Sequence, residues 1–343
     1  EITVTGTLIP RPDVEGLSPV TVMGVEEVTF AGLTRIEDLV NQLPQAFARQ
    51  NSTLANGASG TATVDLRYLG SNRTLVLING RRLPPGDPRG SYAPDLNNIP
   101  SALVKRIDIL TGGASAVYGS VSIAGVVIFI IDQEFEGFRG GISYSTNWHN
   151  NDNAQAQQMN IDAGFDPPTG STWDGNGINL DLAFGGKFAD GKGHASAYLT
   201  YRKLDELTKD MRDYTNCSVW ATEDGAICGG SSTTPATRLR PRYSPNHPEF
   251  PNDQIGDFIV ADAAGNIRPR NATTDVYNNG PWNHFQRPDE RWTAGAFFTY
   301  RFNDMAEGYM ELMFMDDVST AQIAPTGNFN VAPNVNCDNP MLS

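Results

Sequence analysis

"TGGASAVYGSVSIAGVVIFII", residues 111–131, places glycine-punctuated turns ahead of a solid apolar run. Three readings compete for it: a phosphate cradle, a membrane segment, or a buried strand closing the core of a small domain. A P-loop needs Gly-Lys-Ser or Gly-Lys-Thr after its glycines, and neither follows. A dinucleotide fingerprint opens a helix, whereas these glycines precede strand formers. A membrane helix needs roughly 18 or more consecutive apolar residues. The longest run, Ala124–Ile131, has eight. The buried strand is left.

Around this strand, residues 1 to about 134 read as an α+β unit. "SPVTVMGVEEV" (18–28) gives a short strand. "GLTRIEDLVNQLP" (32–44) repeats Leu33, Ile36, Leu39, Val40 and Leu43 at helical spacing and stops at Pro44. "TATVDLRYLG" (61–70) and "RTLVLINGRRL" (73–83) read as strands, and "IPSALVKRIDILTGG" (99–113) as a helix running into a strand.

Beyond Glu134 the pattern becomes alternation. Ile178, Leu180, Leu182 and Phe184 oppose Asn179, Asp181, Ala183 and Gly185; Ala195, Ala197, Leu199 and Tyr201 oppose His194, Ser196, Tyr198, Thr200 and Arg202. Trp292, Ala294, Ala296, Phe298, Tyr300 and Phe302 oppose Arg291, Thr293, Gly295, Phe297, Thr299 and Arg301. Met310, Leu312 and Phe314 are set against Tyr309, Glu311, Met313 and Asp316, and "GFRGGISYSTN" (137–147) begins the series. One face is apolar and the other wet. A soluble sandwich alternates in the same way. Connection lengths favour a membrane barrel: the turns in "KFADGKGHA" and "RFNDMAEGY" are short, whereas 148–176, 205–288 and 319 onward are long. Short periplasmic turns, long outer loops and aromatics near strand ends mark an outer-membrane barrel.

Composition narrows the function. With 25 Lys and Arg against 39 Asp and Glu the formal net charge is -14, the wrong sign for a nucleic-acid surface. Cys217 and Cys228, eleven apart in a polar loop, suggest a disulfide and an oxidising compartment; two free thiols are the alternative. Cys337 has no evident partner. No CxxC or HExxH spacing occurs and His149, His194, His247 and His284 stand far apart, so no metal site or cofactor is expected. Met310, Met313 and Met315 read as packing. Asp289, Glu290, Asp316 and Asp317 are the carboxylates a hydrolase would use, but no nucleophile motif accompanies them and they read as solvated rim charges. No catalytic residue is assigned.

In order and spacing, "EITVTG" (1–6), "SPVTVMGVEEV", "IEDLVNQLP", "VDLRYLGSNRTLVLINGRRL" (64–83) and "DLNNIPSALVKRIDILTGGASAVYGSVSIAGVVIFI" (95–130) resemble the plug of a TonB-dependent outer-membrane receptor. Tyr68 stands where that family usually has Gly, Val121 and Ser122 where it has Asp-Ala, and Ile128 where Asn is common. The resemblance implies a TonB-box segment and plug over 1–134, then the N-terminal part of a transmembrane β-barrel over 135–343. About five strands are present where plugged transporters have about 22. Five cannot close a barrel, so the chain is expected to continue, with Cys337 paired downstream.

The implied function is TonB-driven uptake of a scarce, bulky nutrient, an iron-siderophore complex or similar, across a Gram-negative outer membrane. The partners would be TonB of the TonB-ExbB-ExbD system, membrane lipid and the nutrient. Ile2, Thr3, Val4, Thr5 and Gly6 resemble the TonB box, with an ordinary first plug strand as the alternative. Arg67, Asn79, Gly80, Gly112, Gly113 and Gly119 carry the plug motifs. Arg67, Arg73, Arg81, Arg82 and Arg106 are expected to pair with acids on the barrel wall, with solvated surface arginines the alternative reading for about half of them. "NSTLANGASG" (51–60) and "RLPPGDPRGSY" (82–92) are expected to project as substrate-facing apices. A secreted or surface β-rich binding protein without transport is the rival reading.

Overall fold

The computed structural model describes residues 20–24, 36, 40, 43–54, 57–86, 92–112, 115–223, 225–239, 257–260 and 264–327. The assignments to Ile2, Thr3, Val4, Thr5, Gly6, Gly113 and Cys337 lie outside these, as does 87–91 of the second apex. Of the helix expected over 32–44, Ile36, Val40, Leu43 and Pro44 are described; Ile36 and Val40 are helical and buried, and Leu43 and Pro44 lie in a bend and turn. The chain divides into two units. The first comprises Glu1–Asn147, Asp174–Leu207 and Phe285–Ala321; the second Trp148–Trp173, Thr208–His284 and Gln322–Ser343.

The first unit contains a five-stranded mixed sheet. Its elements are β1 (Val20–Gly24), β4 (Thr74–Ile78), β5 (Arg81–Arg82), β6 (Val104–Leu110) and β7 (Gly125–Ile131), in spatial order β1-β6-β7-β4-β5. β2 (Ala46–Ala48) and β3 (Val64–Leu66) pair beside it. The decisive stretch breaks into a helical turn, α1 (Ser115–Tyr118), a 3-10 turn at Ser120–Ser122, and β7. β7 is the middle strand, antiparallel to β6 and parallel to β4, and is covered on both faces. That is why Val126–Ile131 needs no polar alternation. Its Phe129 is fully buried, together with Ile107, Ile109, Leu103 and Leu96 of the same core.

A second antiparallel sheet forms the wall of the same unit. β8 (Gly137–Asn151), β9 (Gly170–Phe188), β10 (Gly193–Leu204), β13 (Asp289–Asn303) and β14 (Ala306–Ser319) lie in order β14-β13-β10-β9-β8. The short turns fall as expected. Ala189, Asp190 and Gly191 turn with positive φ between β9 and β10, and Asp304 and Met305 close the β13–β14 hairpin.

The alternation is present but inverted relative to a soluble protein. Arg202, Ser196, His194, Tyr198 and Thr293 are buried, while Trp292, Ile178, Phe184, Phe302 and Leu312 are exposed. An apolar outer face over a polar inner face suits lipid outside. One assignment is corrected. Because strand side chains alternate, Asp316 shares the outer face with Met310, Leu312 and Phe314, and Asp317 takes the inner face; the earlier placement broke the two-residue period. Met313 and Met315 likewise face inward and Met310 outward.

In the second unit, β11 (Ser218–Thr222) and β12 (Gly225–Gly229) form a hairpin bonded by a Cys217–Cys228 disulfide, which packs against Ala163, Met159 and Phe165. The preceding helix α2 (Ala154–Asp162) is capped by Asn153, whose side chain accepts from the Ala156 amide at 3.1 Å. Residues 205–288 thus carry short elements of their own instead of one open loop.

Candidate functional site

Three of the motif residues assemble around β7. Asn79 and Gly80 both have positive φ, 47° and 81°, and make the tight turn from β4 to β5. Asn79 also extends the parallel pairing: its amide donates to Phe129 O at 2.9 Å and its Oδ1 accepts from the Ile131 amide at 2.8 Å. Arg67, at φ 57°, reaches across to donate to Ile123 O and Ala124 O at 3.0 and 3.2 Å, fixing the entry to β7. Gly119, at φ 84°, starts the turn that Ser122 closes by donating from Oγ to Gly119 O at 2.6 Å. Gly112 sits in the bend after β6.

Tyr68 also has φ 57°, which explains why glycine suits that position. The ring is exposed, edge-on to Phe47 at 5.3 Å and beneath Arg49. Sequence reasoning missed Gly125. Its φ is 138°, and a Cβ there would lie 2.5 Å from Leu110 O and 2.8 Å from Leu66 Cδ1.

The site of functional interest is the junction between this sheet domain and the wall. Ala183, Tyr198 and Phe297 of the wall enter the domain's hydrophobic core. Around them the bonds are polar. Arg81 meets Glu311 at 3.1 Å, Gln133 donates to Glu311 at 3.0 Å, Ser101 donates to Asp181 at 3.3 Å, and Arg139 donates to Ala102 O at 3.0 Å. Ser196 Oγ donates to Gln133 O at 2.8 Å, and His194 meets Phe135 O at 3.1 Å.

The expectation that five arginines pair with wall acids is corrected for four. Arg67 grips β7's entry, Arg73 donates to Leu69 O, Arg82 to Tyr118 O and Arg106 to Asp108. Each has a closer acceptor than the wall. Arg81 alone among the five meets a wall acid among the described residues.

The end of the junction at the start of β13 holds a denser cluster. Arg287, 3 % exposed, donates to Asn51 O and, at 3.2 Å, to Ser319 Oγ, while its amide donates to Ser52 O at 2.8 Å. The start of the 51–60 apex is therefore pinned to the wall. Beside it Arg202 pairs with Asp289, and Arg291 bridges Asp289 and Asp317 at 3.3 and 3.1 Å. Asn97 reaches Asp317 from the sheet domain at 3.5 Å. Asp289 and Asp317 are thus not rim charges. Their partners Arg202 and Arg291 stood in the wet sets of the alternation, and that inward parity was the available signal. Among the described residues no group of His, Cys, Asp and Glu is placed to hold a metal ion.

A family model for the TonB-dependent receptor plug domain matches residues 13–126. Residues 13–126 are thus a plug domain of the TonB-dependent receptor kind. Receptors with this plug lie in the outer membrane of Gram-negative bacteria, which is the location of this chain.

A structure of the ferric enterobactin receptor PfeA of Pseudomonas aeruginosa is similar at 15% identity and TM-score 0.50, over 89% of this chain and 34% of that one. At that identity it shows a common fold. The siderophore receptor PirA of Acinetobacter baumannii is similar at 16% identity, TM-score 0.49, over 88% and 32%. The copper transporter OprC is similar at 12% identity, TM-score 0.43, over 89% and 30%. The chain spans about a third of the length of these receptors.

Proposed function

We propose that the complete protein is a TonB-dependent transporter that takes up a scarce, bulky nutrient, with an iron-siderophore complex the first class to test. The observation that carries this reading is a wall that is apolar outside and polar inside, meeting the plug sheet through hydrogen bonds and ion pairs around a small apolar contact of Ala183, Tyr198 and Phe297. Such a junction breaks and re-forms at lower cost than a continuous apolar core, because each polar group regains water on release. The domain division proposed is plug to residue 134 and barrel from 135. No covalent chemistry is required of it, so an enzyme role is not proposed.

The energy source proposed is TonB of the TonB-ExbB-ExbD system, pairing with Ile2–Gly6 by strand addition. Proline at Ile2 or Val4 removes a backbone donor and fixes φ, which an added strand tolerates badly. In cells carrying the full-length receptor, Ile2→Pro or Val4→Pro should abolish uptake and leave surface binding intact across a panel of ferric siderophores, cobalamin and oligosaccharides. Uptake at the wild-type rate, or parallel loss of binding, contradicts the TonB-box assignment.

A further inference from the structure

We infer that residues 133–136 are a fixed anchor, seated against Gly185 of the wall and staying there throughout transport. This rests on the transport function proposed for the complete protein, and adds which part of the junction does not open.

The segment joins β7 to β8, the first strand of the wall. Gly185 of β9 faces the Phe135 carbonyl so closely that a Cβ there would come to 2.0 Å from the oxygen and 3.0 Å from the carbon. Any side chain at Gly185 would therefore hold the segment off the wall. The φ of Gly185 is not positive, so its own backbone does not demand glycine. The demand comes from the close approach of a second backbone.

Side chains fasten what the glycine admits. Ser196, the register partner of Gly185 on β10, donates from Oγ to Gln133 O at 2.8 Å, and His194 donates from Nε2 to Phe135 O at 3.1 Å. Both are buried. Gln133 reaches Glu311 at 3.0 Å, and Lys187 meets Glu136 at 2.5 Å. The Phe135 ring packs on the plug core, with the Arg139 guanidinium 4.9 Å from its centre.

Covalent continuity makes this hold persistent. Because Gly137 begins β8, the segment is tethered to the wall at one end, and a broken bond re-forms within the chain at high effective concentration. The 51–60 apex, remote in the chain from any wall strand, has no such tether. Opening therefore belongs to the apex and not to the exit.

The test joins Glu136→Cys and Lys187→Cys with a short bis-maleimide in cells carrying the full-length receptor. Both side chains are more than half exposed, so the reagent reaches them. Uptake, measured across ferric siderophores, cobalamin and oligosaccharides, should continue at the unbridged rate. Loss of uptake on bridging overturns the anchor, whereas a wild-type receptor that takes up none of them contradicts the transport function instead. A second readout needs no nutrient. Gly185→Ala should slow the bridging reaction about tenfold by lowering the effective concentration of the two thiols. Ser196→Ala, which adds no bulk, should slow it in the same direction. Bridging at an unchanged rate in both variants would overturn the seat.

Discussion

Arg81 on the plug lies 3.1 Å from Glu311 on the wall, and the same carboxylate accepts from Gln133 at 3.0 Å, where the chain leaves the plug. Glu311 thus ties together the β4–β5 turn and the plug's exit. Arg81 is more than half exposed, so the pair should contribute at most about 1 kcal/mol. A double-mutant cycle of Arg81→Ala and Glu311→Ala in the full-length receptor, read by urea unfolding of the plug, should return a coupling of about 0.2–1 kcal/mol that shrinks with salt. A salt-independent coupling would exclude an ion-pair origin.

Gly125→Ala should be far more damaging. The added Cβ would press on Leu110 O and Leu66 Cδ1 at a φ that L-residues avoid. Strain plus overpacking implies a loss of about 2–4 kcal/mol in plug stability. The check is the urea midpoint, with Gly57→Ala as the control: its φ is also positive, but no atom lies within reach of the new methyl.

The 267–275 segment should have an acid limit. Asp275 accepts from both Arg268 nitrogens at 2.6 Å and from the Asn271 amide at 2.7 Å, and the Arg268 bonds above all hold its carboxyl down at about 2. A carboxyl lowered on folding contributes stability above its unfolded value, and that stability is lost as pH falls through the folded one. Protease resistance of the 267–275 segment should fall between about pH 4 and pH 2, and Asp275→Asn should remove that step. An unchanged profile in the variant would contradict the assignment.

Reduction of Cys217–Cys228 should loosen the β11–β12 hairpin from α2. In the chain-entropy account, closing so short a loop contributes on the order of 2–3 kcal/mol. Limited proteolysis after reduction and thiol blocking should cut near 217–229 while leaving the plug intact. Equal resistance with and without the bond would show that packing on Ala163 and Phe165 suffices.

The lipid-facing band was legible from the sequence because strand periodicity is two and the apolar sets held it without error on β9, β10 and β13. Phe302 and Trp292 bound this band, ten residues apart on one face of β13. At about 3.3 Å per residue and a tilt of about 40° that is ~25 Å, the height expected of an outer-membrane barrel.

The plug motifs were legible for a different reason: Asn79, Gly80 and Gly119 occupy backbone conformations that few residues adopt. What sequence could not reveal was partner choice. Arg67 and Arg106 look alike as charges, yet one serves a backbone turn and the other Asp108, since burial depends on contacts far apart in the chain. For the same reason Asp289 and Asp317 passed as rim charges until β10 and the plug closed over them.

A covalent bond between plug and wall tests the central claim most directly. A Cβ at Gly60 would lie 3.7 Å from Ser319 Cβ, within disulfide range, although the positive φ of Gly60 adds some strain. In the full-length receptor, Gly60→Cys with Ser319→Cys should bind its nutrient when oxidised, fail to take it up, and regain uptake on reduction. Full uptake with the bond demonstrably formed would contradict a plug that must part from this wall.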